Sequence, residues 1–379
     1  MTDDSADLAF LRRAIELSLA GRGRVEPNPM VGAVVVRDGS VLGEGFHRAF
    51  GGPHAEVEAL AACAGSAAGA TVYVSLEPCC HFGKTPPCTD ALIAAGVARV
   101  VYAIEDPFPK VAGGGRRALE AAGVRVVGGL LRSEAVRANA PYFKRLATGR
   151  PYVIAKWAQS LDGKMATASG SSKWITGEPA RLCAHRLRDR VDAVLVGIGT
   201  ASTDDPLLTA RIPDGRNPRR VVLDPRLRLP LDSQLVRTAR RVPLWVVCRR
   251  ALASTPAADA LSGAGAEVLP LLDDPDNDLG PLLDELGRRG VTNLLVEGGP
   301  KVLTSFLAGK LVDEVQVFIA PKLVGGSAAP TAFEGAGAAA MADAFVGTEV
   351  EVERLGDDVR IAARLTDPLI WLPECEVRN

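Results

Sequence analysis

Residues 77–88, EPCCHFGKTPPC, gather three cysteines, one histidine and three prolines in twelve positions. That density of soft ligands raises metal binding first. Upstream, His54 and Glu56 stand two residues apart at the start of HAEVEALAACA, and Cys88 opens a further helical stretch after the next strand. Two helix N-termini can then face one another across a cleft. Zinc takes four tetrahedral positions, and a catalytic site fills three with nitrogen or sulfur and leaves the last to water. His54 with two cysteines gives that count, and two thiolates balance the charge of Zn²⁺ near the positive ends of the helix dipoles. Glu56 is left to shuttle protons at the open position.

His-x-Glu followed by Pro-Cys-x-x-Cys is the signature of zinc deaminases. Here the spacing is longer, because Pro78-Cys79 is followed by Cys88 with CHFGKTPP between them. Cys79 takes the first cysteine's place, Cys88 the second, and the intervening loop becomes a substrate-reading insertion. Cys80 is then a bystander. The competing reading is a closed structural zinc held by Cys79, Cys80, His81 and Cys88. Adjacent cysteines do not readily point at one ion, and a closed site leaves His54 and Glu56 without a purpose.

The rest of the composition sets the context. A chain of 379 residues with 47% hydrophobic content is long enough for two cores. Its net charge of −1, without a run of like charges, lacks the electrostatic footprint of a nucleic-acid or membrane binder. A small-molecule substrate is expected instead. The N-terminal stretch is interrupted by Arg12, Arg13 and Glu16, so it reads as an amphipathic helix and not as a signal peptide. No apolar run reaches the roughly 20 residues of a bilayer span. A cytoplasmic location follows as the expectation, with reduced thiols, and the seven cysteines are an odd number.

The elements that must position these residues alternate along both halves. In the first, a helix at 6–20 leads to strands 31–36 and 41–46 turned by Asp38-Gly39, then to helices at 54–64, 88–96, 114–122 and 133–146 alternating with strands 71–76, 99–104 and 124–129. Five strands with helices on both faces predict a three-layer α/β domain over 1–147. The helical pattern stops at Gly149 and Pro151, which places a second domain over 151–379. There, strands are expected at 152–158, 192–197, 219–224, 243–248, 266–272, 293–299 and 314–320, with helices at 178–190, 281–290 and 300–309 and a final strand pair near 348–366. The clearest chemical signal in this half is LLVEGGPKVLTSFL, 294–307: a strand, two glycines, then a helix opened by proline. Such a turn suits a phosphate at a helix N-terminus, and it equally suits an ordinary strand-to-helix connection. No Gly-x-Gly-x-x-Gly follows a first strand, and GIGT at 197–200 is too short to count.

Together, NPMVG (28–32), HAE (54–56), EPCCHFGKTPPC, Asp106-Pro107, SLDGK (160–164), KWIT (173–176), DDP (204–206) and VEGGP (296–300) closely resemble the bifunctional deaminase–reductases of riboflavin biosynthesis, over nearly the whole chain. The resemblance implies a cytidine-deaminase-like domain followed by a dihydrofolate-reductase-like α/β domain. It implies two successive steps on a pyrimidine bearing a phosphoribosylamino group: zinc-dependent hydrolysis of the exocyclic amine, then NADPH-dependent reduction of the ribosyl group to ribityl. It further implies one zinc per chain and a homo-oligomer formed through the reductase domain.

By the same resemblance, Asn28, His47, His81 and Lys84 contact the deaminase substrate. By residue type alone, Asn28 reads equally as a turn former. The cofactor would be lined by Ala158, Trp174, Thr200, Asp204 and the run Gly299, Pro300, Lys301, Val302, Leu303 and Thr304. The reductase substrate would be lined by Ser172, Arg188, Leu208, Arg211 and Glu297, the arginine forks suiting its phosphate. Lys156 and Asp162 are candidates for the general acid. Two positions depart from the family pattern: Phe108 stands where asparagine is usual, and Gly114 where a basic residue is frequent. The alternative function is a zinc deaminase of another nucleotide or a tRNA base with a non-catalytic C-terminal domain; a third is a zinc-stabilised binding module.

Overall fold

The structure, a computed structural model, describes residues 3–272 and 278–372. It divides into two compact units, 1–149 with 368–379 and 150–367.

In the first unit the elements run α1 (Asp3–Ser18), β1 (Gly32–Arg37), β2 (Ser40–Phe46), α2 (Ala55–Ala61), β3 (Thr71–Val74), α3 (Cys88–Ala94), β4 (Arg99–Tyr102), α4 (Gly114–Ala121), β5 (Arg125–Gly128), α5 (Arg132–Ala138) and α6 (Ala140–Thr148). The sheet order is β2-β1-β3-β4-β5. The hairpin turns at Asp38-Gly39, both with positive φ, as its sequence requires. β1 is antiparallel to both neighbours, and β3, β4 and β5 run parallel. Alternation along the strands sends Ala33, Val35, Val72, Val74 and Val100 to one face, where they pack with Ala55 and Ala59 of α2, Leu92 of α3 and Leu119 of α4. On the opposite face Tyr73 meets α1, stacking near Phe10 and donating its hydroxyl to Asp7 at 2.7 Å. The sheet is thus covered on both sides.

Two expectations differ here. The single helix at 133–146 is two helices, separated at Asn139. The buried Asn139 amide accepts the Met30 N–H and donates to the Met30 carbonyl, both at 2.8 Å, and Pro141 in the first turn of α6 has no N–H to continue the preceding helix. The second correction concerns the chain end, which was assigned to the domain over 151–379. The described turn Pro368–Trp371 packs on α5 and α6 of the first unit, with Trp371 buried and the Lys144 ammonium 5.8 Å from its ring. A short apolar segment after a strand carries no periodicity that reveals where it docks.

The second unit contains β6 (Tyr152–Ser160), α7 (Glu178–Arg190), β7 (Ala193–Gly197), α8 (Ile198–Asp204), β8 (Arg219–Leu223), α9 (Gln234–Arg237), β9 (Leu244–Arg249), α10 (Pro256–Gly263), β10 (Glu267–Leu272), α11 (Gly280–Arg288), β11 (Asn293–Val296), α12 (Pro300–Ala308), β12 (Glu314–Ala320), β13 (Thr348–Leu355) and β14 (Asp358–Arg364). They build a nine-stranded sheet in the order β10-β9-β8-β7-β11-β6-β12-β14-β13. The strands from β10 to β12 pair in parallel, while β14 is antiparallel to β12 and β13. Helices α8, α9 and α10 were not expected; they are short or begin among Gly and Pro, where apolar period is hard to read. β11 inserts between β6 and β7, so the carboxyl ends of adjacent parallel strands lie side by side where the strand order reverses. In open α/β sheets ligands bind in that crevice. No helix among the described residues is long and apolar enough to cross a membrane.

Candidate active sites

His54 is the residue before α2, in extended backbone, and Cys88 is the first residue of α3. Their helices pack together, which brings Nδ1 of His54 to 3.2 Å from Cys88 Sγ and 3.5 Å from Cys79 Sγ. The Cys88 N–H reaches Cys79 Sγ at 3.4 Å. The ligand atoms of His54, Cys79 and Cys88 all lie within 4.8 Å of one another. Tetrahedral zinc with ordinary bond lengths needs a nitrogen–sulfur separation of roughly 3.6 Å, so the donor set fits that ion in both chemistry and spacing. With Nδ1 turned to the sulfurs, Nε2 lies 3.3 Å from Thr85 Oγ1. That contact holds the ring's orientation, and with a metal on Nδ1, Nε2 would carry the proton and donate to the hydroxyl. Cys80 turns away and donates to the Lys110 carbonyl at 3.8 Å, and neither it nor His81 joins the cluster, so the closed tetrad does not form. A β-carbon on Gly114 would come to 2.6 Å from Cys80 Sγ, which accounts for the missing basic side chain there.

Around the cluster the carboxyls differ in environment. Glu56 is buried, which pushes its carboxyl up to about 7. A hydrogen bond from the Cys88 thiol leads the causes that pull Cys79 down, and the same bond pushes Cys88 up. Asp106 is raised to about 6 by burial and accepts the Tyr142 hydroxyl at 2.8 Å. Glu77 accepts the backbone N–H groups of Gly113 at 2.9 Å and Arg116 at 3.0 Å, fastening the cysteine loop to the start of α4.

His54, Glu56, Glu77, Cys79, Asp106 and Tyr142 line a cleft of about 330 Å³ that also contains Asn28, His47, His81, Lys84, Phe108 and Arg145. All four substrate-contact residues expected from the sequence therefore meet in one place. His47 is the least free of them. Its Nδ1 donates to the Pro53 carbonyl at 2.9 Å, so its Nε2 accepts from Asn28 Nδ2 at 3.3 Å. It orients Asn28, whose oxygen is left for a ligand. His81 Nδ1 is buried without a partner, and the Lys84 ammonium sits 3.8 Å over the Phe50 ring. Glu77 and Thr85, inside the cysteine loop, have no role of their own in the sequence reading, and it misses Tyr142 and Arg145 of α6 because only the fold brings them to the site.

In the second unit a cleft of about 640 Å³ is lined by Gly197, Ile198, Gly199, Thr200, Asp204 and, from the neighbouring turn, Gly299, Pro300, Lys301 and Val302. The two turns follow β7 and β11. A β-carbon on Gly298 would come to 2.5 Å from Val302 Cβ and one on Gly197 to 2.7 Å from Val302 Cγ2, so α12 packs against both turns only because glycines stand there. GIGT, too short to count as a motif, thus lines the same cleft as Gly299 to Val302. Ser172, expected at the substrate, also lines this cleft.

Other expected cofactor contacts lie elsewhere. Leu303 is fully buried in the apolar core and its N–H bonds to the Gly299 carbonyl, so it has nothing to offer a ligand. Thr304 Oγ1 accepts the Glu334 N–H at 2.9 Å. Trp174 is largely exposed under the Arg181 guanidinium, and Ala158, on β6, is half-buried outside the cleft lining.

A polar cluster forms around Glu297, directly after β11. Arg188 binds it with both arms of its fork, at 2.6 and 2.8 Å, and Lys156 Nζ lies 3.8 Å away. Burial pushes the Glu297 carboxyl up, but Arg188 and then Lys156 outweigh it and hold the group at about 2. Arg188 is thereby committed to a carboxylate and is not a free phosphate ligand, contrary to expectation. Arg211, 3.2 Å from His185 Nε2 through its Nε, carries no acid partner among the described residues. Leu208 is buried with positive φ. Asp162 accepts the Ser160 hydroxyl at 2.5 Å and the Val324 and Gly325 N–H groups, which hold it at about 2. A carboxylate so firmly ionised is a loop staple and not a proton donor, which leaves Lys156.

Comparison with known proteins agrees with both units. The family described as the RibD C-terminal domain matches residues 151–361, and the cytidine and deoxycytidylate deaminase zinc-binding region matches residues 4–104. The riboflavin biosynthesis protein RibD of Actinobacillus pleuropneumoniae is 42% identical over 369 residues, covering 96% of each chain. That of Escherichia coli is 40% identical over 344 residues, 85% of this chain and 89% of the other. Among solved structures, RibD of Acinetobacter baumannii superposes with a TM-score of 0.84 at 38% identity, over 95% of this chain and 99% of that one. A diaminohydroxyphosphoribosylaminopyrimidine deaminase/5-amino-6-(5-phosphoribosylamino)uracil reductase of Thermotoga maritima gives 0.80 at 35% identity, with the same coverage.

Proposed function

The chain belongs to the RibD family of riboflavin biosynthesis, and from that premise we propose that its first unit deaminates a diaminopyrimidine bearing a phosphoribosylamino group and its second reduces the ribosyl group of the deaminated product. The observation that carries this reading is the buried Glu56 beside the open three-ligand cluster of His54, Cys79 and Cys88. A closed structural site has no use for such a carboxylate, and a base-modifying enzyme acting on tRNA lacks the long cysteine loop.

In the first unit, His54, Cys79 and Cys88 hold zinc, which when bound makes water nucleophilic at neutral pH. Asn28, oriented by His47, hydrogen-bonds the pyrimidine and fixes its plane. Glu56 takes a proton from the attacking water as oxygen adds to the amine-bearing ring carbon, passes it to a ring nitrogen, and assists ammonia to leave. A carboxyl raised to about 7 by burial can give and take a proton near neutrality. His81 and Lys84 face the sugar-phosphate.

In the second unit, the paired glycine turns at 197–200 and 298–302 bind the NADPH diphosphate, and the cofactor supplies hydride. Glu297 and Arg211 hold the substrate. Arg188 fixes Glu297, and Lys156 gives its proton to the ring oxygen, which leaves the anomeric carbon as the sugar ring opens and hydride adds to that carbon. Domain limits of 1–147 and 151–367, the latter shortened at its end, describe this division. We further infer a cytoplasmic homo-oligomer assembled through the second unit, supported by the exposed Val350 and Val352 on the edge strand β13; solution mass tests it. Incubation of the pure protein with the diaminopyrimidine substrate, with and without NADPH, tests the whole reading. Expected are ammonia and the uracil product without cofactor, the ribityl product with it, and about one zinc per chain. Release of no ammonia by zinc-loaded protein would sink it.

A further inference from the structure

Arg145 lies on α6 and lines the deaminase cleft together with Tyr142 and Leu146. Its Nε is buried without a hydrogen-bond partner, and no carboxylate among the described residues pairs with it. The three acids of the same cleft are engaged elsewhere: Glu77 by backbone N–H groups, Asp106 by the Tyr142 hydroxyl and the Phe108 N–H, and Glu56 at the metal cluster. A guanidinium held half-buried without an anion is costly unless a ligand supplies one. Its planar fork matches a phosphate with two parallel hydrogen bonds. Phe108, 6.0 Å from His81 between their ring centres, adds an apolar wall to the same cleft and offers the sugar-phosphate no polar side chain.

We propose that Arg145 is the phosphate anchor of the deaminase site and sets its preference for the phosphorylated substrate over the free ribosyl compound. The proposal rests on the deaminase reading above. Lys84, on the cysteine loop of the same cleft, contributes a point charge, whereas Arg145 contributes direction.

The test compares two substrates in one assay, the diaminopyrimidine ribosyl phosphate and its dephosphorylated counterpart, with ammonia release as readout and zinc content measured on each preparation. The parental protein should prefer the phosphorylated compound through KM. Arg145→Gln should raise that KM about ten- to a hundredfold, with kcat within about threefold, and leave the dephosphorylated substrate's KM unchanged. Zinc should stay bound. Arg145→Lys should fall between the two, because charge is kept and the fork is lost; it also serves should Arg145→Gln fail to fold. Inorganic phosphate should inhibit deamination of the phosphorylated substrate competitively in the parental protein and much more weakly in Arg145→Gln. An equal loss on both substrates, or an unchanged preference, overturns the anchor. A parental protein that deaminates neither compound overturns the deaminase reading itself, which is a different outcome.

Discussion

Glu56 combines burial, a carboxyl raised to about 7 and adjacency to a ligand cluster it does not join. Replacing it by glutamine keeps size and hydrogen bonding but removes proton relay. Zinc content should be unchanged while deamination falls by at least the roughly 10²–10⁴-fold of a general acid–base group, since one carboxylate serves several transfers. Near-normal ammonia release would eliminate it as the shuttle. Glu297 makes a second residue-level case, this time for stability. Its carboxyl is held at about 2 against the ordinary 4.5. A depressed value means that the stabilisation is fully present above pH 4.5 and is lost as pH falls towards 2, an amount of order 3 kcal/mol. At neutral pH, Glu297→Gln strands Arg188 and Lys156 beside one another, so the second unit should unfold at lower urea and the acid loss over that window should shrink. Parental and variant midpoints that run parallel from pH 6 to 2 would contradict the ion-pair account.

At the scale of elements, the cleft proposed for the cofactor depends on two strand-to-helix turns meeting at the ends of β7 and β11. Gly299 stands at the start of α12, and a β-carbon there would lie 3.4 Å from Thr200 Oγ1 on the facing turn. One carbon fits; the two further methyls of valine do not leave the diphosphate its approach. Gly299→Val should therefore raise the NADPH dissociation constant at least tenfold without altering deamination, as read by cofactor titration and ammonia release. Unchanged titration would remove the 298–302 turn from the cofactor site. This element also marks where sequence reading succeeds and where it stops. The loop 77–88 was legible because its ligands lie close together along the chain, with spacing set by covalent geometry. VEGGP stood out because strand, glycines and helix are contiguous, although that pattern equally suits an ordinary connection and only the family resemblance favoured a phosphate. GIGT did not, since only the fold brings it to the same cleft as VEGGP, about a hundred residues away. Asn139 shows the same limit: a buried amide that pins Met30 and splits a helix reads, in sequence, as one polar residue on a helical face. The pairing of Arg188 with Glu297 was not legible, because only the fold brings Glu297 against both arms of its fork.

For the whole molecule, the division into two units with separate cores and separate clefts has a functional consequence. Every side chain proposed for proton transfer in deamination lies before residue 150, and every one proposed for hydride transfer lies after it. The two half-reactions should then be separable by single substitutions in opposite directions. Supplied with the deaminated intermediate and NADPH, Glu56→Gln should oxidise cofactor at close to the parental rate. Supplied with the diaminopyrimidine substrate, Gly299→Val should release ammonia at close to the parental rate while reducing little. Mixing the two variants should restore the ribityl product from the diaminopyrimidine, because released intermediate can be reduced by the partner whose second unit is intact. The measurement is product mass over time, with both zinc content and cofactor oxidation followed on the same preparations. If each variant instead lost both activities together, with zinc retained and the fold intact, catalysis in one unit would depend on side chains of the other, and the two-unit assignment of function would have to be abandoned.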